Sequence, residues 1–291
     1  MRRAPGVARF VRRLAIGTLV LLVAPASGSA QGHGPLYGLS TPTLGKGGWS
    51  VDLPIMGRFV EGGSALMTRP MLSYGVTEDL QASVSLPMPL HRDEGLPPVR
   101  GLTRMPMTQD VQVMLGWRFH RDAPAVGSRW ESTAWVAFEY PTDARRSGIE
   151  PSPGLYGAAV TGYASRSWYF WAGGAYRRYM APSGPNESRL GDTSMASVVV
   201  GYRPPAFRGD DSSADWRGFV ELVGERVGRD TALGRTMPDT GSRQVFVGLT
   251  ALGLYGSWGI SGGPAFPLFQ SADGDAPRER LRMAANFTFW F

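Results

Sequence analysis

Apolar and polar residues alternate over the last twelve positions of the chain. In RLRMAANFTFWF (280–291), Leu281, Met283, Ala285, Phe287, Phe289 and Phe291 share one parity, and Arg280, Arg282, Ala284, Asn286, Thr288 and Trp290 share the other. Successive side chains of a strand point to opposite faces, so this segment predicts a strand with one apolar and one mostly polar or small face. An apolar face ending in aromatics suits the lipid side of a membrane barrel wall, with the other face toward a lumen. The same period recurs upstream. WSVDLPIMGRF (49–59), LQASVSLP (80–87), DVQVMLGWRF (110–119), RWESTAWVAFEYP (129–141) and QVFVGLTAL (244–252) are the clearest cases.

Further strands are expected at 65–74, 155–164, 167–179, 194–203, 217–226 and 255–269, which brings the count to about twelve. Strand 65–74 contains Pro70, tolerable only at a bulge or a poorly paired position. Strand 167–179 is aromatic on both faces, so its facing is undetermined. Each strand is near ten residues, the length that crosses a bilayer when tilted. The fold class read from this pattern is all-β: a transmembrane antiparallel up-and-down β-barrel of about twelve strands over residues 49–291, closed by pairing of the last strand with the first. With both termini periplasmic, the gaps at 88–107, 141–153, 180–193, 227–241 and 268–279 face outside. The turns at 75–79, 165–166 and 252–254 face the periplasm, where 120–128 and 204–215 are long for such turns.

Residues 1–30 combine five arginines, the apolar run Leu14–Ala24 and a small-residue segment ending at Ala30. This reads as a secretory signal peptide cut near Ala30, too short in its apolar part to span a bilayer. Residues 31–48 hold too much Gly and Pro for a regular element. They read as an N-terminal periplasmic segment, with entry into the barrel left open. The formal net charge of +6 is set by the leader. Without its five arginines, 25 basic residues face 24 acidic ones, and a nucleic-acid partner has no electrostatic basis. No cysteine is present, which excludes disulfides, thiol nucleophiles and an N-terminal lipid anchor.

Several stretches resemble a family of transporter-like outer-membrane proteins named for a meta-pathway of phenol degradation. STPTLGKGGWSVDL is similar to the family's entry into strand one, and SYGVTEDLQASVSLP to its second hairpin. AFEYPTD (137–143) resembles a strand ending in a Pro-Thr loop entry, and LYGSWGISGGPAFPLFQ the penultimate strand. The resemblance implies an outer-membrane barrel with a transport role. It brings no substrate and no binding residue. The terminal Phe291 after alternating aromatics also resembles the signal read by the outer-membrane insertion machinery, a partner expected on that ground.

Candidate chemistry is sparse. His33, His91 and His120 are the only histidines, and no spacing gathers the three or four ligands of a zinc site. Met67, Met71, Met88, Met105 and Met107 lack a repeated copper-binding motif and read as fillers of irregular apolar space. Ser85 or Asp93 near His91 offers no catalytic pattern that a Ser-rich barrel would not show, so no enzyme, metal or cofactor is expected. The informative set is the polar parity of the strands: Asp52, Arg58, Arg69, Gln112, Arg118, Glu131, Glu139, Glu221, Glu225, Arg280 and Arg282. With the apolar parity toward lipid, these residues are expected to line the lumen, as ion pairs that fill it or as walls of a hydrated path. The expected function is passive passage of small solutes, aromatic or otherwise apolar ones among them, by a monomer in the outer-membrane lipid. The alternative is a closed structural or adhesive barrel acting through its external loops.

Overall fold

The computed structural model describes residues 34–94, 110–141, 152–180, 188–209, 213–274 and 278–291. Residues 1–30, where a leader is expected, and histidine 33 lie outside the described residues. In chain order the strands are β1 (Trp49–Val60), β2 (Gly63–Thr68), β3 (Met71–Gly75), β4 (Leu80–Ser85), β5 (Met88–Arg92), β6 (Asp110–Asp122), β7 (Arg129–Pro141), β8 (Gly154–Ala164), β9 (Trp168–Tyr179), β10 (Thr193–Tyr202), β11 (Asp215–Val227), β12 (Thr231–Ala232), β13 (Arg235–Thr236), β14 (Ser242–Tyr255), β15 (Trp258–Ala272) and β16 (Glu279–Trp290). Strands β12 and β13 form a small separate hairpin. The other fourteen form one sheet in which each segment pairs antiparallel with its neighbours, and β16 pairs back onto β1. Because β2 continues into β3 and β4 into β5, the fourteen segments make a closed barrel of 12 staves.

Proline explains both breaks. Pro70 has no N–H to give a ladder, and the second stave stops at Thr68 and resumes at Met71. Pro87 interrupts the third stave in the same way. Beyond it, Met88–Arg92 pairs with β2, with a register shift opposite Leu66 and Met67. The expected loop at 88–107 therefore begins as strand. The expected loop at 227–241 likewise carries the β12–β13 hairpin.

The alternation holds around the wall. Leu53, Ile55, Val113, Leu115, Val136, Val198, Val220, Leu249, Ile260, Phe287 and Phe289 face outward and exposed, while Met56, Ala137, Val199, Val223, Phe246 and Ala284 face inward and buried. In β9 the ambiguity resolves by this rule: Trp168 and Phe170 face out, while Tyr169, Trp171, Arg177 and Tyr179 face in. At the end that carries the termini, outward aromatics meet across strands as Trp49–Tyr74, Trp168–Tyr202 and Tyr255–Trp258, with ring centroids 4.6, 4.6 and 5.4 Å apart. This is the aromatic girdle expected where a barrel wall leaves hydrocarbon for headgroups.

One parity expectation fails. The β1–β16 ladder shifts between Phe59 and Val60, pairing Phe59 with Leu281 and Val60 with Glu279. The extra residue turns the Arg280 side chain outward, 71% exposed and 3.9 Å from Glu61, and sends Glu279 into the lumen instead. A β-bulge breaks the strict two-residue period, so parity read from Arg282 cannot be extended through it.

If the outward face meets lipid, Leu249→Arg, near the middle of β14, is expected to lower stability in phospholipid vesicles by about 2–4 kcal/mol. Equilibrium unfolding measured by tryptophan fluorescence checks this, and an unchanged midpoint would remove the lipid-facing assignment.

Candidate functional site: a plugged lumen

The lumen is occupied by the chain's own N-terminal segment. Leu36, Tyr37, Leu39, Ser40, Thr41, Thr43 and Leu44 are all buried inside the barrel. A stretch this rich in Gly and Pro forms no ladder of its own, so its backbone groups must be satisfied by the wall. Glu221 of β11 does most of this. Its carboxylate accepts the backbone N–H groups of Leu36 (2.9 Å), Tyr37 (2.7 Å) and Gly38 (2.6 Å), and the hydroxyl of Thr250 (2.5 Å). An ionised carboxylate offers about four acceptor positions, and four donors converge on this one. Successive backbone N–H groups commonly form a nest for an anionic ligand; here the barrel wall provides the anion.

Other wall residues extend the grip. Leu39 N–H donates to Ser197 Oγ (3.0 Å) and Leu44 N–H to Gln81 Oε1 (2.8 Å). Thr133 Oγ1 donates to the Thr41 carbonyl (2.6 Å), and Trp171 Nε1 donates to Thr41 Oγ1 (3.1 Å). The Tyr37 hydroxyl donates to the Gly263 carbonyl (2.7 Å), with the Arg282 carbonyl also near at 3.3 Å. That acceptor lies next to Pro264, which has no N–H for the ladder. Two glycines allow the close approach. A Cβ on Gly38 would lie 2.5 Å from Val199 Cγ2, and one on Gly75 would lie 1.9 Å from the Gly45 carbonyl oxygen where the segment enters.

The wall's inward charges include three deeply buried ion-paired groups. Toward the end far from the termini, Glu279 accepts from Arg58 and from Arg282 Nε (2.6 Å). Arg282 also donates to Glu225 (2.8 Å) and Gln244 (3.2 Å), and its guanidinium lies 3.8 Å from the centre of the Phe246 ring. Across the lumen, Glu139 takes Arg177 at 2.6 Å and the Gln112 side-chain amide at 2.9 Å. Near the terminal end, Arg118 bonds Glu131 (3.1 Å) and Asp79 (2.9 Å). Asp52 accepts from Asn286 (3.0 Å) and Thr288 (2.7 Å) across the closing seam. Arg69 donates Nη2–H to the Asp110 carbonyl (2.5 Å).

Ten of the eleven sequence candidates, Asp52, Arg58, Arg69, Gln112, Arg118, Glu131, Glu139, Glu221, Glu225 and Arg282, are therefore on the inner wall, buried or, for Gln112, half-buried. Arg280 is the exception. Sequence parity missed Glu279, hidden by the bulge, and Arg177, hidden in the doubly aromatic strand. It also missed the tryptophan and tyrosine contacts with the segment, since nothing local marks an aromatic as a lumen contact.

The segment leaves part of the lumen empty. Between it and the wall lies a cavity bounded by Leu36, Met71, Met114, Trp135, Tyr156 and Asn286, with Asp52, Arg69, Gln112 and Arg177 among its polar lining. It holds about 110 Å³ of room for water centres. At roughly 10–15 Å³ per water, that accommodates several waters or one small organic solute. Its lining mixes apolar surface with a few convergent polar groups, the usual character of a small-molecule site. His91 lies 3.0 Å from Asp93 at one exposed rim and His120 is exposed at the other end of the barrel, so they do not combine. No cluster of three or more metal-type ligands occurs among the described residues.

Two outcomes test this arrangement. Arg282→Ala leaves Glu225 and Glu279 buried without it and is expected to cost roughly 3–5 kcal/mol, while Arg280→Ala leaves the unfolding midpoint unchanged. The chain has no cysteine, so Ser40→Cys provides a single thiol on the segment. Its maleimide labelling is expected to speed up about tenfold or more when Glu221→Gln is added, because an amide sets its own donors against the segment's N–H groups. Equal labelling rates would show that Glu221 does not hold the segment.

No protein-family model matches the chain, and no curated protein matches it in sequence. Solved structures do match in fold. The COG4313 outer membrane channel from Pseudomonas putida F1 is similar with a TM-score of 0.62 at 12% identity, over 89% of this chain and 99% of that one. The NanC porin is similar with a TM-score of 0.50 at 11% identity, over 81% and 98%. At such identities the likeness is one of fold: the chain shares the closed antiparallel β-barrel fold of these outer-membrane proteins.

Proposed function

We propose that the protein is a channel-like barrel of the bacterial outer membrane that passes small solutes passively, with residues 34–44 as its internal gate. The observation that carries this reading is the cavity between the segment and the wall. A barrel built only as a rigid wall has no need of a partly apolar chamber beside a removable plug. The plug is held by hydrogen bonds and packing alone, so it can leave without breaking a covalent link. The fold likeness to a channel and a porin supports the same reading. Passage is diffusion down a gradient, and neither a catalytic step nor a cofactor enters it.

The cavity lining favours small solutes with an apolar or aromatic part. Met71, Met114, Trp135 and Tyr156 give contact surface, and Gln112 and Asn286 give hydrogen bonds. A relationship to the phenol meta-pathway family rests on the sequence resemblance and names no cargo. On this reading the leader directs export, the terminal strand ending at Phe291 addresses the insertion machinery, both termini lie on the periplasmic side, and the barrel works as a monomer.

The second reading is a closed structural or adhesive barrel, favoured by the filled lumen and its ion pairs. Planar-bilayer recording separates the two. Full-length protein is expected to show small or rare openings, and deletion of residues 34–44 is expected to raise conductance and solute flux into liposomes. A deletion variant that migrates as a folded, heat-modifiable barrel but conducts nothing and passes no solute would defeat the channel reading.

A further inference from the structure

Two arginines oppose each other on the outer wall. Arg226 of β11 and Arg243 of β14 are direct cross-strand partners, both exposed and both on the lipid-facing parity. The same row continues through Ser194, partner of Arg226, and Ser271, partner of Arg243. Directly opposed residues have Cβ atoms about 5 Å apart, and like charges in that relation repel. Among the described residues no carboxylate forms an ion pair with either arginine. The nearby acids hydrogen-bond elsewhere: Asp273 pairs with Arg229 at 2.7 Å and attracts Arg243 only from beyond ion-pair distance, and Asp192 accepts from Tyr176 (2.7 Å) and Arg189 (3.2 Å).

The level of this row on the wall identifies what relieves the repulsion. On β11 the outward residues run Trp216, Gly218, Val220, Leu222, Gly224, Arg226. Trp216 stands in the aromatic girdle at the terminal end. Ten residues at about 3.3 Å each, tilted about 40°, rise about 25 Å. That matches the height of a barrel's apolar band, so the arginines stand at the opposite interface, in the plane of lipid phosphates. On β14, Arg243 precedes the outward run Val245, Val247, Leu249 and Ala251, so both strands leave hydrocarbon at the same row.

We infer that Arg226, Arg243, Ser194 and Ser271 form a binding site for the phosphate group of a membrane lipid. Arg guanidinium groups donate in pairs to phosphate oxygens, the two hydroxyls flank them, and the dianionic charge of a phosphate monoester neutralises both cations at once. With the termini periplasmic, as proposed above, this row lies in the outer leaflet, whose lipid A carries such monoesters. The inference goes beyond the proposed function. It rests on the lipid-facing wall and on the periplasmic termini of that reading, not on solute passage, so conductance measurements leave it standing or falling independently.

The test uses the full chain folded in detergent. Diphosphoryl lipid A is titrated in, and its retention is read by native mass spectrometry beside the heat-unfolding midpoint. Phosphatidylcholine, whose phosphate is a zwitterionic diester, serves as the comparison lipid. The wild type is expected to retain lipid A and to unfold at higher temperature with it, and to respond less to phosphatidylcholine. The double variant Arg226→Gln, Arg243→Gln is expected to lose about tenfold or more in lipid A retention, as two charge-assisted contacts are removed. Without lipid, the same variant is expected to unfold no earlier than wild type, since a repulsive pair has gone. Equal lipid A retention by wild type and double variant would overturn the site. So would equal protection by phosphatidylcholine, because the wall would then read acyl chains alone. Should the double variant fail to fold, either single variant, Arg226→Gln or Arg243→Gln, gives the same comparison.

Discussion

Within hydrocarbon there is no water to serve an unpaired backbone group, and a sheet that crosses it must have no edge. The β1–β16 seam meets that demand here. Trp49 and Phe291 exchange backbone hydrogen bonds at one end, and pairing runs from Ser50 with Trp290 to Val60 with Glu279 at the other. Closure then settles the facing of every stave, because each side chain at the seam must agree with its partner about which way is in. The bulge near Phe59 falls at the far end of its stave, away from the girdle that carries the termini, and the proline breaks at Pro70 and Pro87 fall near the middle of theirs.

Closure creates a second problem, which the N-terminal segment and the inward charges answer together. A barrel of 12 staves encloses more space than its inward side chains fill by themselves. Residues 34–44 run through the lumen from β10, β11, β14 and β15 to β4, β7 and β9, and the segment's backbone donors are matched to Glu221, Ser197 and Gln81. Elsewhere the charges match one another: Arg58 and Arg282 with Glu279 and Glu225, Arg177 with Glu139, Arg118 with Glu131. Each of these groups is costly to bury alone and acceptable only with its partner. The lumen is therefore a polar core with a guest segment rather than an open pipe, and the remaining cavity is the part that neither the guest nor the ion pairs fill.

The segment and the wall are held by different kinds of contact. The segment is held by hydrogen bonds to its backbone, by side-chain bonds of Tyr37 and Thr41, and by burial of Leu36, Tyr37, Leu39 and Leu44 in the core. The contacts that hold the wall are strand ladders and buried ion pairs; these pairs meet the segment at Glu131, which accepts from Thr41, and at Arg282, whose carbonyl lies near the Tyr37 hydroxyl. On the proposed reading, departure of the segment would keep the strand ladders but strip Glu221 of three backbone donors. The outer face follows a separate logic, set by the bilayer: aromatics at one interface and opposed arginines at the other.

Alternation alone determined the fold class, the stave count and most strand bounds, because lipid on one side and polar lumen on the other impose a two-residue period that few local exceptions disturb. It also placed Asp52, Arg58, Arg69, Gln112, Arg118, Glu131, Glu139, Glu221, Glu225 and Arg282 on the inner face. Tertiary structure alone decided the rest. A bulge exchanged Arg280 for Glu279, since one inserted residue inverts parity without leaving a mark in composition. Strand β9, aromatic on both faces, took its facing from its neighbours' registers. Residues 34–44 have no periodicity, so only the positions of Glu221, Ser197 and Gln81 on distant strands could specify where the segment lies. Which charges pair is likewise a matter of distance across the lumen, and sequence spacing along a strand carries no information about the opposite wall.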